Sequence, residues 1–171
     1  MKFLENIFKG WIIPIVVAFI ISLLIRQFLF FSIKVPSESM YPTIKPGDQL
    51  IVTRIYNTNN LKRGNVVVFH SDELNMDLIK RLIGLPGDTV EVKGDGSVYV
   101  NSVKIEEKYV SSPAVKFGNF KVPQGKFLFF GDNRQNSLDS RYWVNPYIDK
   151  SSIKGIARIT IFPFNRFSLV K

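Results

Sequence analysis

One long apolar run dominates the amino-terminal part of the chain. The segment WIIPIVVAFIISLLI, residues 11–25, contains no charged residue, and FLFF follows directly after Arg26 and Gln27. A helix rises about 1.5 Å per residue, so the 21 residues from Trp11 to Phe31 roughly match a hydrocarbon core of about 30 Å. The pattern predicts a transmembrane anchor over residues 11–31, preceded by a short tail of residues 1–10.

Two other interpretations of this run are open. A cleavable secretory signal also places an apolar core behind a basic start, although the following FLFFSIKVP lacks a pair of small residues at cleavage spacing. A buried helix of a soluble fold would show a polar face, and the run from Ile12 to Ile25 has none. Basic residues lie on both sides of the run, so the positive-inside rule does not decide its orientation.

From Gln49 onward the chain changes to short β-type segments separated by turn chemistry. Seven segments are rich in Val, Ile, Phe and Tyr, several with alternating polar and apolar positions: QLIVTRIY, NVVVFH, DLIKRLIG, DTVEVKG, GSVYVN, KFLFF and GIARITIF. Pro and Gly lie between them, and EVKGDGSVYV predicts a hairpin around residues 94–96. We therefore predict a mainly β, antiparallel domain over residues 32–171.

Composition narrows the chemistry that this domain could perform. The 23 basic and 14 acidic residues give a net charge of +9, which favours an anionic neighbour such as nucleic acid or an anionic lipid surface. With no cysteine, the chain has no thiol nucleophile, disulfide or zinc–cysteine site. The single histidine, His70, is the sole candidate base for a Ser/His/Asp triad, and it also fits an ordinary position at a strand end.

A lysine in the segment MDLIKRLIGLPGD is a second candidate base. In a strand, alternation places Lys80 on one face with Leu78 and Leu82, and Arg81 on the other face. An apolar setting disfavours the charged form of a lysine and lowers its pKa, so a neutral Lys80 could accept a proton. The alternative is a lysine that reaches out to water from a strand edge.

Two polar segments could supply a partner for this base. In VPSESMYPTIKPGD, residues 35–48, Ser37 and Ser39 lie on a backbone that prolines restrict, which suits a nucleophile with a fixed position. In FFGDNRQNSLDSR, residues 129–141, dense polar residues directly follow a strand and could form a buried hydrogen-bond network. Taken alone, each segment also fits an ordinary solvated loop.

Together, three motifs resemble a known family. SESMYPT, IKRLIGLPGD and GDNRQNSLDSR follow an amino-terminal apolar segment in this order. They resemble the motifs of the bacterial type I signal peptidases, or leader peptidases, in the compact form common in Gram-positive bacteria. The resemblance extends from the apolar segment to IFPFNRF near the carboxyl end.

The resemblance implies a role for each matching residue. It makes Ser39 the nucleophile, Lys80 the general base, and the Ser39 backbone N–H with the Ser37 hydroxyl the oxyanion hole. Ser137 matches the residue that hydrogen-bonds and orients the lysine amine. Asp139 and Arg141 match a supporting acid–base pair, and Asp132 and Arg134 are further supports in the same motif. The family needs no cofactor and no metal.

The resemblance also implies a function and a location. We expect a membrane-bound serine endopeptidase that removes signal peptides from secretory preproteins after a small residue, at small-x-small sites. The tail would be cytoplasmic, with one membrane pass and the catalytic domain on the extracytoplasmic face. The basic charge would then serve contact with the lipid bilayer and not with nucleic acid. Two alternatives are a self-cleaving repressor with a Ser/Lys dyad and a non-catalytic, membrane-tethered β module.

Overall fold

A computed structural model describes residues 8–113 and 116–171 of the chain. Most of the predicted tail, residues 1–10, lies outside the described residues. The chain divides into two compact units, Met1–Phe31 and Ser32–Lys171. Each unit is described by itself below.

The first unit is helical from Phe8 to Phe28. A π-helical turn, Phe8–Ile12, leads into α1, Ile13–Phe28. The segment Gly10–Phe28 has a mean hydropathy of 2.2, so it is long and apolar enough to cross a membrane. No residue of α1 is buried, which does not fit the buried helix considered from the sequence. The predicted helix over 11–31 extends too far, because Phe30 already begins a β-strand.

Twelve strands follow within the described part of the chain. They are β1 Phe30–Lys34, β2 Gln49–Arg54, β3 Val66–Ser71, β4 Met76–Gly84, β5 Thr89–Val92, β6 Val98–Val100, β7 Val103–Lys104, β8 Gly118–Lys121, β9 Lys126–Phe130, β10 Tyr147–Asp149, β11 Ile153–Phe162 and β12 Ser168–Leu169. The larger sheet has the order β1-β2-β11-β3-β4-β9-β10, with β12 paired to β11. The smaller sheet has the order β7-β6-β5-β8. The pairs β3–β4, β4–β9 and β5–β6 are antiparallel.

Strands β4 and β9 contribute to two hydrophobic cores. Leu82 and Phe129 pack in the first core, where Phe129 stacks on Phe69 with ring centroids 4.3 Å apart. Ile83 and Phe130, the next residues along each strand, pack in the second core with the valines of the smaller sheet. Successive side chains of a strand point to opposite faces, so one strand can supply both cores. By the same alternation, residue 80 shares the face of Leu82, and residue 81 the opposite face.

The predicted fold class is confirmed, and so are all seven predicted strands and the hairpin between β5 and β6. Five strands were not predicted from the sequence: β1, β7, β8, β10 and β12. Four of these have two to four residues and lie outside the segments rich in Val, Ile, Phe and Tyr. Strand β1 could not be distinguished from the helix in the sequence, because its two phenylalanines continue the apolar run of the helix.

Candidate active site

Backbone hydrogen bonds join the two ends of the loop of residues 35–48, and two buried side chains attach the loop to the protein interior. The backbone N–H of Val35 donates to the carbonyl of Asp48 at 2.9 Å, and the N–H of Gly47 donates to the carbonyl of Val35 at 2.8 Å. Met40 and Ile44 are fully buried. Burial of these two side chains fixes the backbone at residues 40 and 44. Ser39 directly precedes Met40, so its position is defined as well.

Ser39 is buried, with 7% of its surface exposed, and Ser37 next to it is exposed. Their hydroxyl oxygens lie 3.3 Å apart, within hydrogen-bond distance. Asn133 holds this stretch with two hydrogen bonds. Its backbone N–H donates to the Ser39 carbonyl at 3.1 Å, and its side-chain amide donates to the Glu38 carbonyl at 3.2 Å. The serine loop is therefore attached directly to the polar segment that follows β9.

Lys80 lies in the middle of β4, opposite Val67 of β3, and only 3% of its surface is exposed. Burial lowers the pKa of its ammonium to about 8. The carboxylates of Asp139 and Asp132 act in the opposite direction, and the guanidinium of Arg141 lowers the pKa further. At pH 7 about a tenth of the lysine is thus neutral, far more than for an exposed lysine, and the neutral form is the one that a general base requires.

Asp139 and Arg141 form the predicted pair. Both side chains are completely buried, and Arg141 donates from Nε and Nη2 to the two carboxylate oxygens, each at 2.8 Å. Asp139 also accepts from the backbone N–H of Gly131 at 2.8 Å. A buried bidentate pair with additional hydrogen bonds fixes the shape of a loop more firmly than an exposed one. The pair therefore holds the segment after β9 in place beside Lys80.

The other two charged residues of the motif do not pair with each other. Asp132 accepts from Arg81, the neighbour of Lys80, at 2.7 and 2.6 Å, and from the hydroxyl of Thr43 at 2.5 Å. Arg134 instead pairs with Glu107, which lies in none of the three motifs. Arg81 and Thr43 thus connect the strand that carries Lys80 to the loop that carries Ser39.

Gly131 is a site residue that the sequence analysis missed. A Cβ atom built on Gly131 would overlap the hydroxyl and Cβ of Ser137 and the carbonyl oxygen of Ser39. Only glycine allows these two serines to approach the same point of the backbone. The signal in the sequence was the glycine between the apolar strand KFLFF and the polar DNR.

The Ser137 hydroxyl is buried and has no hydrogen-bond partner among the described residues. The hydrogen bond predicted between Ser137 and the Lys80 amine is therefore not present in this structure. Catalytic hydrogen bonds often tighten only when a substrate is bound.

His70 lies apart from these serines. It faces Asp77 across the β3–β4 ladder, three positions along from the Val67–Lys80 pair, and its Nδ1 lies 3.0 Å from the Asp77 carboxylate. Within residues 8–113 and 116–171, no group of three or more His, Asp or Glu side chains is arranged to hold a metal ion.

Comparisons with known proteins agree with the motifs. The family described as signal peptidase, peptidase S26, matches residues 8–162. The chain is 42% identical to the signal peptidase I of Bacillus licheniformis, covering 94% of this chain and 92% of that protein. It is 43% identical to the signal peptidase I of Leptolyngbya laminosa, covering 86% and 76% of the two chains.

A solved structure extends the likeness to the fold. The crystal structure of a signal peptidase I from Enterococcus faecalis is 30% identical and superposes with a TM-score of 0.52, covering 57% of this chain and 96% of that one. The resemblance found in the three motifs is therefore confirmed over most of the chain. This protein belongs to the signal peptidase family, peptidase S26.

Proposed function

We propose that this protein is a serine endopeptidase that removes signal peptides from secretory preproteins with a Ser39/Lys80 dyad. The observation that carries the proposal is the burial of Lys80, which lowers its pKa to about 8 beside the segment that also holds Ser39. The relatives named signal peptidase I support the substrate class. Cleavage after a small residue, at small-x-small sites, is part of the proposal.

In the proposed mechanism, neutral Lys80 removes the proton from the Ser39 hydroxyl as Oγ attacks the scissile carbonyl carbon. The resulting oxyanion accepts hydrogen bonds from the Ser39 backbone N–H and the Ser37 hydroxyl, whose oxygen lies 3.3 Å from Ser39 Oγ. The C–N bond then breaks, and Lys80 returns the proton to the leaving amine. Water, deprotonated by the same amine, hydrolyses the ester and frees Ser39.

Three supporting residues have positioning roles in this mechanism. Ser137 would orient the Lys80 amine once a substrate closes the site. Asp139 and Arg141 would keep the loop rigid, since their bidentate pair also holds the backbone N–H of Gly131. None of the three needs to exchange a proton with the substrate, and no cofactor takes part in the proposed steps.

The proposed location is the cell membrane, with one pass formed by the apolar segment Gly10–Phe28. The tail would be cytoplasmic and the catalytic domain extracytoplasmic. Three phenylalanines near the carboxyl end, Phe162, Phe164 and Phe167, are exposed to 48%, 82% and 67%, and Lys171 follows them at the end of the chain. Such a surface fits contact with an anionic lipid bilayer. Retention in the membrane pellet after alkaline washing tests the anchor.

The direct test incubates the detergent-solubilised protein with a preprotein that carries a small-x-small site, followed by sequencing of the new amino terminus. We expect one cut after the second small residue. Ser39→Ala and Lys80→Ala should each abolish the cut while leaving the melting temperature close to or above that of wild type. A non-catalytic module would keep its function in both variants, and a self-cleaving repressor would cut itself and not the preprotein. Either outcome rejects the proposal.

A further inference from the structure

One carboxylate from the segment between β7 and β8, that of Glu107, contacts Arg134 of the candidate active site. Glu107 accepts from Nη1 of Arg134 at 2.9 Å and from Nη2 at 2.5 Å. The Glu107 side chain is 10% exposed and that of Arg134 is completely buried. Burial alone would lower the pKa of Arg134, but the hydrogen bonds and charge of Glu107 raise it. The guanidinium is thus held in its charged form by a residue from outside the three motifs.

Arg134 transmits this contact to the backbone around the serines. Its Nε donates to the carbonyl of Gly131 at 3.0 Å, and its own carbonyl accepts from Nη2 of Arg141 at 2.9 Å. Gly131 is the residue against which the Ser39 carbonyl and Ser137 pack. A shift of Arg134 therefore moves the surface on which the nucleophile loop lies.

Tyr109 makes the second contact of the same segment. Its hydroxyl donates to Glu107 at 2.9 Å, and its ring lies under the guanidinium of Arg81, 3.8 Å from the ring centroid. Burial, with the charge of Glu107, raises the pKa of Tyr109, so the hydroxyl stays protonated and remains a donor. Arg81 directly follows Lys80 in β4 and binds Asp132. One short segment therefore contacts the strand of the base through Arg81 and the polar segment after β9 through Arg134.

We propose that Glu107 and Tyr109 are positioning residues for the peptidase reaction, which set the relative placement of Lys80 and the Gly131 backbone. The inference rests on the proposed function. Neither residue belongs to the motifs that carry the chemistry. Both act through arginines, Glu107 through Arg134 and Tyr109 through Arg81.

The charged groups that influence Lys80 make the inference testable by pH. The charges that act on Lys80 most are those of Asp139, Arg141 and Asp132. Glu107 makes its contacts with Arg134 and Tyr109 instead, so we expect its replacement to reach Lys80 by displacing the loop or admitting water. Added water would raise the pKa of Lys80 towards the ordinary lysine value and shift the rise of activity to higher pH.

The experiment compares Glu107→Gln with Glu106→Gln in the full-length, detergent-solubilised protein. The control residue is adjacent, 78% exposed and paired only loosely with Lys108 at 3.4 Å. For Glu107→Gln we expect kcat to fall about tenfold with KM changed less than about twofold, because a small misplacement of reacting groups reduces the chemical step. The pH midpoint of kcat/KM should also move upward. Glu106→Gln should match wild type in all three.

Tyr109→Phe removes only the hydroxyl and keeps the ring against Arg81. If Glu107→Gln does not fold, this second variant tests the positioning role of the segment. We expect kcat to fall about threefold with the same upward shift of the pH midpoint. A lower melting temperature with kcat and midpoint unchanged would mean a purely structural role and would overturn the inference. If wild type itself does not cut the preprotein, the proposed function fails, and this inference fails with it.

Discussion

Gly131 lies so close to the carbonyl oxygen of Ser39 that no side chain fits between them. The same glycine touches the hydroxyl of Ser137 and donates its N–H to Asp139 at 2.8 Å. Three of the residues proposed to carry or support catalysis therefore meet at one backbone unit. That arrangement requires a residue without a Cβ at position 131.

Gly131→Ala should reduce kcat by at least about a hundredfold, because the new methyl group must displace the Ser39 backbone or Ser137. Overpacking of this kind also lowers the free energy of unfolding by about 1–3 kcal/mol. Preprotein cleavage and thermal unfolding measure the two effects. Gly118→Ala is the matched control, since a Cβ there meets only the ring of Phe120, at 3.6 Å. Equal activity in both variants would contradict the described packing.

Activity should rise with pH through a midpoint near 8, because the proposed base must be neutral and the pKa of Lys80 is about 8. Below this pH the lysine is protonated, and kcat/KM should fall about tenfold per unit. Lys80→Arg should be inactive over the whole range, since arginine stays protonated. A midpoint near 10.4, the value of a solvent-exposed lysine, would show that burial does not tune this group.

Lys80→Met should raise the stability of the fold at pH 7, although it abolishes the proposed activity. Below the folded pKa of about 8, the native state holds a charged lysine in an apolar site. Replacing it with a side chain of similar length should add on the order of 2–3 kcal/mol to the free energy of unfolding. Between pH 8 and about 10.5 the unfolded chain binds more protons than the native one, so wild type gains stability. The difference in the free energy of unfolding between Lys80→Met and wild type should therefore shrink towards pH 10, and denaturant unfolding measures it.

Asp139→Asn should destabilise the fold by about 3–5 kcal/mol, because it leaves the guanidinium of Arg141 buried without a counter-charge. Urea unfolding measures the loss. Asp77→Asn is the control: it breaks a pair with Lys154 whose side chains are 48% and 42% exposed. Solvent screens such a pair, so the change should stay within about 1 kcal/mol. Similar losses in both variants would mean that burial does not govern the Asp139 pair.

The residues proposed to carry the chemistry could be singled out from the sequence because each lies in a motif with local character. Lys80 stands between two leucines at strand spacing, and Ser39 lies in a loop with three prolines. The Asp139–Arg141 pair is only two residues apart, so a single loop contains both partners. Period-two patterns likewise predicted the seven longer or clearly alternating strands.

Contacts between distant segments were not predictable. Asp132 pairs with Arg81 across 51 positions, and Arg134 pairs with Glu107 across 27, so the sequence could not match these charges. The role of Gly131 depends on what packs against it, which only the folded chain determines. The hydrogen bond between Ser137 and Lys80 is absent from this structure, because sequence identifies a candidate hydroxyl without setting its hydrogen-bond geometry.

The same two strands, β4 and β9, supply both cores of the second unit. Leu82 and Phe129 pack in one core, and the residues that follow them, Ile83 and Phe130, pack in the other. Melting of the smaller sheet would expose one face of β4 and β9 and weaken the other, so the two cores should unfold as one cooperative unit. The smaller sheet is thus not a removable appendage. A truncation that deletes it should abolish the folding of the remainder and not merely trim the protein.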